Sequence, residues 1–574
     1  MSRSDTFSSG KPKLGQRIRA RASLLKRTDA RFFTAPDPVS VGQTSRGKLL
    51  AEGHFRFANE VVHRPDTSIW ALRAPSAQFA VALHGWSWMD DLVATDIAHA
   101  HELARDWGLE WLKRYSSGSG PGWAPDIIGR RVVRMVNHAG HILYKQSGAI
   151  RDKYMRSLGR QVALLAQEAH TAPEGYPRIE ALTGLLHAGY ALRDIEETVD
   201  PAIARIGHAA VQAIDDAGTI PSRNPEELLD LFELLTWSAR AIKSVEKLPS
   251  REHKQALSQM ATILRGIRHA DGGLPRFHGG GRGDTGRLDQ ALLDSEVDLK
   301  PLPEQNMGYT RLKLGRSSLV VDTAQPTTGD VASNAHASSL AFELTVGRRP
   351  LIVNCGCGRV FGPDWRRAGR ATPSHSTLGL DGFSSSRLDP KLHKLVEIPE
   401  TVRVKTTHDG RARVLEGFHD GYRKSHGMQH IRKLRLGGDG GKLNGEDILS
   451  ATSKTDREMF AEAVKNRPKE GLSVSIRFHL HPDVTPQHDK GRDLVYLSLI
   501  NGEEWIFRHD GTVSLSVEPS VYLDGRSLEP RATKQVVLSG LVLDYAGRVS
   551  WSLVRSPDSP KGLRDTKASD SLTI

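Results

Sequence analysis

The chain has 574 residues, 38% of them hydrophobic and 25% charged, a length and balance that predict two to four globular domains and exclude a disordered or fibrous chain. No stretch approaches the roughly 20 apolar residues that a spanning helix needs, so an integral membrane protein is not expected. The net charge is +12, yet residues 10–33 carry Lys11, Lys13, Arg17, Arg19, Arg21, Lys26, Arg27 and Arg31 against Asp29 alone, so more than half of the excess sits in one short arm.

That arm, taken as residues 1–45, reads as a solvated basic tail, with a phosphate or anionic-membrane contact as the sharper alternative. The rest of the chain has no zinc-finger spacing, no RNP-like motif and no recognition helix, so no specific nucleic-acid partner is expected. Arg and Lys interrupt every stretch that could serve as the apolar part of a signal peptide, which at face value predicts a cytoplasmic protein. The two cysteines, Cys355 and Cys357, stand two apart in one strand, a spacing that strains a disulfide. They say nothing about redox compartment.

From residue 125 to 269 apolar positions recur at helical spacing. One stripe runs through Ile128, Val132, Met135, Val136, Ala139, Ile142 and Leu143, and further amphipathic runs cover 151–168, 178–193, 200–215, 226–245 and 251–267. Asn224 can cap a helix whose first position is Pro225, with Glu226 and Glu227 suited to its positive end. Successive helices with short links predict an α/α toroid-like helical domain over 46–300. The Gly-rich stretch 278–286 lacks the ending of a phosphate loop and reads as a linker.

After residue 305 the texture changes to short β-rich runs broken by turn residues, at 317–322, 340–346, 350–353, 402–405, 428–436, 472–480, 494–499, 504–508, 512–517 and 535–541. This spacing predicts an antiparallel β-sandwich over 305–557, followed by a polar tail over 558–574. Trp86 and Trp88 could form a sugar platform, but a pair of tryptophans before a helix reads first as core. Asn137-His138 is expected mid-helix and Tyr190 in the core, while His479 and His481 share one strand face with no third ligand in view.

One constellation stands out: His336 in Asn334-Ala335-His336, Asn354 in Val353-Asn354-Cys355-Gly356, and His375 in Ser374-His375-Ser376-Thr377-Leu378. With the text between them, SSLAFELTVGRRPLIVNCG and RRAGRATPSHSTLGLDG, it resembles the C-terminal domain of the heparinase II/III-type polysaccharide lyases in order and spacing. The resemblance continues more weakly through 267–277 and 220–225. It implies a lyase that cleaves a uronate-containing, acidic polysaccharide by β-elimination, in the cell envelope or periplasm; the alternative is a catalytically degenerate carbohydrate-binding or envelope-associated relative.

The resemblance also implies a zinc site at His336, Asn354 and His375, except that Asn354 stands where the family has Asp, and a neutral amide is a far poorer zinc ligand. Without metal, the three side chains would form a hydrogen-bonded polar cluster. The family's catalytic Tyr falls at or near Glu227, and its Asn-His pair falls near 175–177, where neither residue occurs. β-Elimination must neutralise the carboxylate, remove the adjacent carbon-bound proton and protonate the leaving oxygen. The candidates for these tasks are His336, His375 and Glu227 for proton transfer, with Arg223, Asn224, Arg276 and Arg370 for substrate binding. Oligomeric state is not legible in the sequence.

Overall fold

The computed structural model describes residues 30–33, 38–193, 195–298, 302–389, 393–465 and 471–560. Most of the expected basic arm, at 1–29 and 34–37, and the tail from 561 onward lie outside the described residues.

The first half is helical: α1 (Thr44–Ala51), α2 (Ala77–Leu83), α3 (Ser87–Val93), α4 (Ala98–Arg114), α5 (Pro125–Asn137), α6 (Gly148–Glu168), α7 (Tyr176–Tyr190), α8 (Pro201–Ala213), α9 (Pro225–Lys243), α10 (Arg251–Ile267) and α11 (Arg287–Ser295). Proline at the first turn of α5, α7, α8 and α9, and side-chain caps from Ser147, Asn224 and Ser250, fix where helices begin. Alternate helices face inward: α5 packs on α7 and α7 on α9, while α6, α8 and α10 cover them from outside. The inner helices are buried almost all round, which explains why α7 shows so little amphipathic contrast in its sequence. Where α5 crosses α7, a Cβ at Gly184 would meet Gly129 Cα at 2.3 Å, so two glycines set this close approach.

The stripe expected to run through residue 143 as one helix is broken instead. α5 stops at Asn137, and a short turn, Ala139–Ile142, follows. Asn137 therefore sits at a helix end, donating to Ser40 Oγ at 2.9 Å and accepting from His187 Nε2 at 2.9 Å, while His138 Nε2 meets Asp90 Oδ1 at 2.8 Å. Trp86 and Trp88 are fully buried against Trp111 and Trp107, as core residues. A small hairpin, β1 (His54–Phe57) and β2 (Glu60–His63), precedes α2.

The second half is strand-rich. One sheet, in spatial order, joins β19 (Ser514–Tyr522), β20 (Arg531–Val542), β15 (Leu472–Leu480), β7 (Arg349–Val353), β6 (Phe342–Val346), β5 (Ser317–Asp322), β4 (Tyr309–Leu314) and β3 (Gln305–Asn306), with β8 (Leu378–Leu380) also on β15. The other joins β11 (Val402–Asp409), β12 (Ala412–Tyr422), β13 (Met428–Gly437), β14 (Lys442–Ser450), β21 (Ala546–Arg555), β18 (Glu504–His509), β17 (Leu494–Leu499) and β16 (Val484–Asp489). All pairings are antiparallel, and the strands of the second sheet alternate buried and half-exposed positions, so one face covers the core. A two-stranded β9 (Arg387–Leu388) and β10 (Leu395–Glu397) lies apart. Between the sheets Trp551 stacks on Phe342 at 5.9 Å and donates to Asp447 Oδ2 at 2.9 Å, so its indole is both packed and satisfied.

Several strands are absent from the sequence reading, among them β4, β12, β14, β16 and β21. Their apolar positions alternate with Arg, Lys, Glu and Asp, so no continuous apolar run marks them. Arg432 and Asp447 form an ion pair with neither side chain exposed, against the expectation that a core strand is apolar.

Candidate functional site between the two domains

The helical domain docks on the sandwich through buried charge. Arg223, in the left-handed region at φ 53 on the turn before α9, donates to Asp322 Oδ1 at 2.5 Å and to the carbonyls of Gly308 at 2.9 Å and Gln325 at 2.8 Å. Tyr309 Oη returns a bond to the Arg223 carbonyl at 2.6 Å. Asp322 closes β5 and also accepts from Ser338 Oγ at 2.6 Å, and the Arg223 guanidinium holds its carboxyl well below the usual range despite full burial. A second junction surrounds Glu343: Asn354 N donates to it at 2.9 Å, Arg276 N at 3.2 Å, and His269 Nε2 stands 3.5 Å away.

His336 and His375 come together at this junction. His336 Nδ1 lies 3.0 Å from His375 Nε2, His375 Nδ1 lies 2.8 Å from the Ala371 carbonyl, and His336 Nε2 accepts from Gly279 N at 3.0 Å. The tautomers follow from these partners. A carbonyl requires the proton of His375 on Nδ1, and an amide N–H requires His336 Nε2 to be bare, so His336 donates from Nδ1 to His375 Nε2. Burial pushes His375 down to about 4 and His336 further still, so both rings are neutral at neutral pH.

Asn354 lies beside them, fully buried. Its Oδ1 accepts from Ser376 N at 2.9 Å, and its Nδ2 has no hydrogen-bond partner among the described residues. Cys355 points the other way, toward His479 and Ser520.

These residues do not fit zinc. The one amide oxygen of Asn354 is engaged, and its unengaged atom is a donor that cannot ligate a cation. Metal at His336 Nδ1 would move that ring's proton to Nε2, where it would face the Gly279 N–H. Among the described residues no group of three His, Cys, Asp or Glu is arranged to hold a metal.

The stretch expected to be a linker is a docking loop. His278, Gly279 and Gly280 are buried, and His278 Nδ1 accepts from His336 N at 3.1 Å while its Nε2 stands 3.2 Å from Asp322 Oδ2. Gly281 N donates to Glu226 Oε2 at 2.7 Å, which ties the loop to the first turn of α9. Nothing in a Gly-rich run marks burial, so His278 and Asp322 were missed as members of this junction.

The remaining expected site residues divide by accessibility. Asn224 is the cap of α9, accepting from Glu226 N at 3.0 Å and Glu227 N at 3.3 Å. Free guanidinium groups were expected at Arg223, Arg276 and Arg370, and this is corrected. Arg223 is consumed by Asp322, and Arg370 donates to the carbonyls of Ala335, His393 and Ala332. Arg276 lies 3.8 Å over the Tyr522 ring, beside Glu343. His336 and His375, at 0% and 1% exposure with every ring nitrogen engaged, present no face to a solvent-borne substrate.

Glu227 is different. It is half-buried in the first turn of α9, accepting from Ser222 Oγ at 2.7 Å, and burial of the carboxyl pushes it up to about 7 against the opposing pull of Ser222 and Arg359. Arg359 faces it from the sandwich loop after β7, and Arg366, on α12 (Pro363–Arg370), adjoins Arg359 and donates to the Ser333 carbonyl at 2.9 Å. The Nε atoms of both arginines are buried and have no hydrogen-bond partner among the described residues. Sequence reasoning passed over this pair because arginine is frequent here and no spacing ties them to α9.

A separate, small recess of about 50 Å3 lies within the helical domain. Its walls carry Asp90, Asp91, Glu180, Asp230 and Glu233 against Arg46, Arg134 and Arg287. Asp90 is bonded to Arg134, and Asp230 and Glu233 to Arg287. The acidic excess makes this recess unsuited to an anionic polymer.

A helical domain followed by an antiparallel β-sandwich is the architecture that this chain shares with known proteins. Residues 300–552 of the chain match the family described as heparinase II/III-like, C-terminal. It is similar to the FtsZ-localized protein C of Caulobacter vibrioides (strain NA1000 / CB15N), 27% identical over 501 residues that cover 84% of this chain and 83% of the relative. Its fold is that of a heparinase III structure, at TM-score 0.63, 12% identity and coverage of 93% and 88%, and of a heparan sulfate lyase HepC from Pedobacter heparinus, at TM-score 0.57, 15% identity and coverage of 95% and 88%.

Proposed function

We propose that the chain acts on a uronate-containing polysaccharide by β-elimination in the interdomain crevice, with Glu227 as the proton-transfer group and Arg359 and Arg366 as partners of the uronate carboxylate. The observation that carries this reading is a half-buried carboxyl poised at about 7 with the Arg359 guanidinium acting on it and Arg366 next to Arg359. The guanidinium groups would neutralise the carboxylate and so acidify the adjacent C–H. Glu227 would take that proton as the C=C bond forms and the C–O bond to the leaving sugar breaks. It would then return the proton to the leaving oxygen. A carboxyl that titrates near neutrality can both accept and donate at physiological pH.

The product is an unsaturated uronate that absorbs in the ultraviolet. Incubation of the full chain with heparan sulfate, chondroitin, alginate and acidic bacterial exopolysaccharides should raise absorbance with at least one polymer. Unchanged absorbance on all of them sinks the catalytic reading.

A second reading is supported by the similarity to FtsZ-localized protein C and by the absence of the family Tyr and Asn-His at their expected positions. On this reading the chain is a catalytically degenerate, envelope-associated relative that keeps the crevice for binding. Polymer binding without any absorbance change is its signature.

A further inference from the structure

We infer that this chain replaces a metal at the domain junction with a proton-ordered hydrogen-bond clamp, in which His278, His336 and His375 are positioning residues that hold the docking loop, and through it the first turn of α9, against the sandwich. The chain of donors is complete and has one direction. Gly279 N–H points into His336 Nε2, His336 Nδ1–H into His375 Nε2, and His375 Nδ1–H into the Ala371 carbonyl. At right angles to it, the His336 backbone N–H points into His278 Nδ1, which leaves the His278 proton on Nε2 facing Asp322. Five of the six ring nitrogens are hydrogen-bonded and the sixth, His278 Nε2, stands 3.2 Å from Asp322 Oδ2, while the two ends of the network belong to different domains. Asp322 is in turn held by Arg223, so the clamp and the buried ion pair grip both sides of the turn that leads into α9.

The clamp connects directly to the crevice. The loop it fixes donates from Gly281 N to Glu226, and a Cβ at Gly280 would meet Asn224 Oδ1, the α9 cap, at 2.5 Å. The loop therefore sits too close to the helix start for either to move alone. That the clamp positions Glu227 for chemistry rests on the proposed function; that it excludes metal and joins the domains does not.

Three measurements on the full chain test the clamp without any assay of turnover. After incubation with excess zinc and passage through a size-exclusion column free of chelator, the protein should retain less than one-tenth of an equivalent; one retained equivalent overturns the inference. Histidine 15N shifts should show His336 protonated on Nδ1 and bare on Nε2, and the reverse tautomer overturns it. In calorimetry, His336→Leu should split a single unfolding transition into two, while His336→Gln, whose Oε1 can accept from Gly279 N, should restore the single one. A His336→Leu variant that unfolds as the wild type does contradicts the clamp. Should both variants fail to fold, the zinc and tautomer measurements on the wild type still decide.

Discussion

Arg223 on the turn before α9 and Asp322 at the end of β5 meet at 2.5 Å across the domain junction, the aspartate fully buried and the arginine nearly so. An ion pair in this setting is costly to break from one side, because the remaining charge is left buried and unpaired. Arg223→Ala is expected to lower stability by about 3–5 kcal/mol, and Asp322→Asn by a similar amount. Chemical denaturation checks this. The double variant should cost far less than the sum of the two, and additive losses would show that the pair is not a unit.

The pair also shows why the junction was only half legible in the sequence. His336, Asn354 and His375 stand in a recognisable order, so a resemblance finds them. Arg223 and Asp322 are 99 residues apart, and although Arg223 lies in the recognisable 220–225 stretch, nothing marks Asp322 as its partner. The helices were legible because α6, α9 and α10 carry caps and an apolar stripe. Strands such as β12 and β14 were not, since Glu416, His419, Glu446 and Asp447 interrupt their apolar positions, and the buried His419 and Asp447 take partners on neighbouring strands that no local pattern announces.

Arg359 and Arg366 are half-buried beside Glu227, and on the proposed function their guanidinium groups pair with the uronate carboxylate. A charge-assisted hydrogen bond contributes about 1.5–3 kcal/mol, so losing both should weaken binding of an acidic polysaccharide by at least about 10²-fold at low salt. Calorimetric titration of the Arg359→Ala/Arg366→Ala variant measures this. Arg366 also donates to the Ser333 carbonyl at 2.9 Å, so the double variant should lose about 1 kcal/mol of stability, read by chemical denaturation alongside the titration. Undiminished affinity would remove the arginines from the site.

Acid should destabilise the protein well above the carboxylate range. Burial holds His375, His479, His187 and His253 at about 4 in the fold, below the ordinary 6.5. Each is depressed in the folded state, so the unfolded chain binds the proton first as pH falls. Stability is thus complete above pH 6.5, is lost between 6.5 and 4 at about 1.4 kcal/mol per pH unit for each such group, and levels off below. Urea midpoints between pH 7.5 and 5 should fall steeply. A flat profile would mean that these rings reach solvent.

Glu227 supplies the most direct test of the proposed chemistry. Glu227→Gln keeps the shape and the Ser222 contact but cannot exchange a proton, and Glu227 is only half-buried in the first turn of α9. The measurement is the initial rate of ultraviolet absorbance on the polymer that the wild type cleaves, taken from pH 5 to 9 for both proteins. The wild-type rate should bend near pH 7, where this carboxyl titrates, and Glu227→Gln should lose at least about 10²-fold in kcat with its melting temperature unchanged. A folded Glu227→Gln variant that keeps the wild-type rate and the same bend would contradict the assignment.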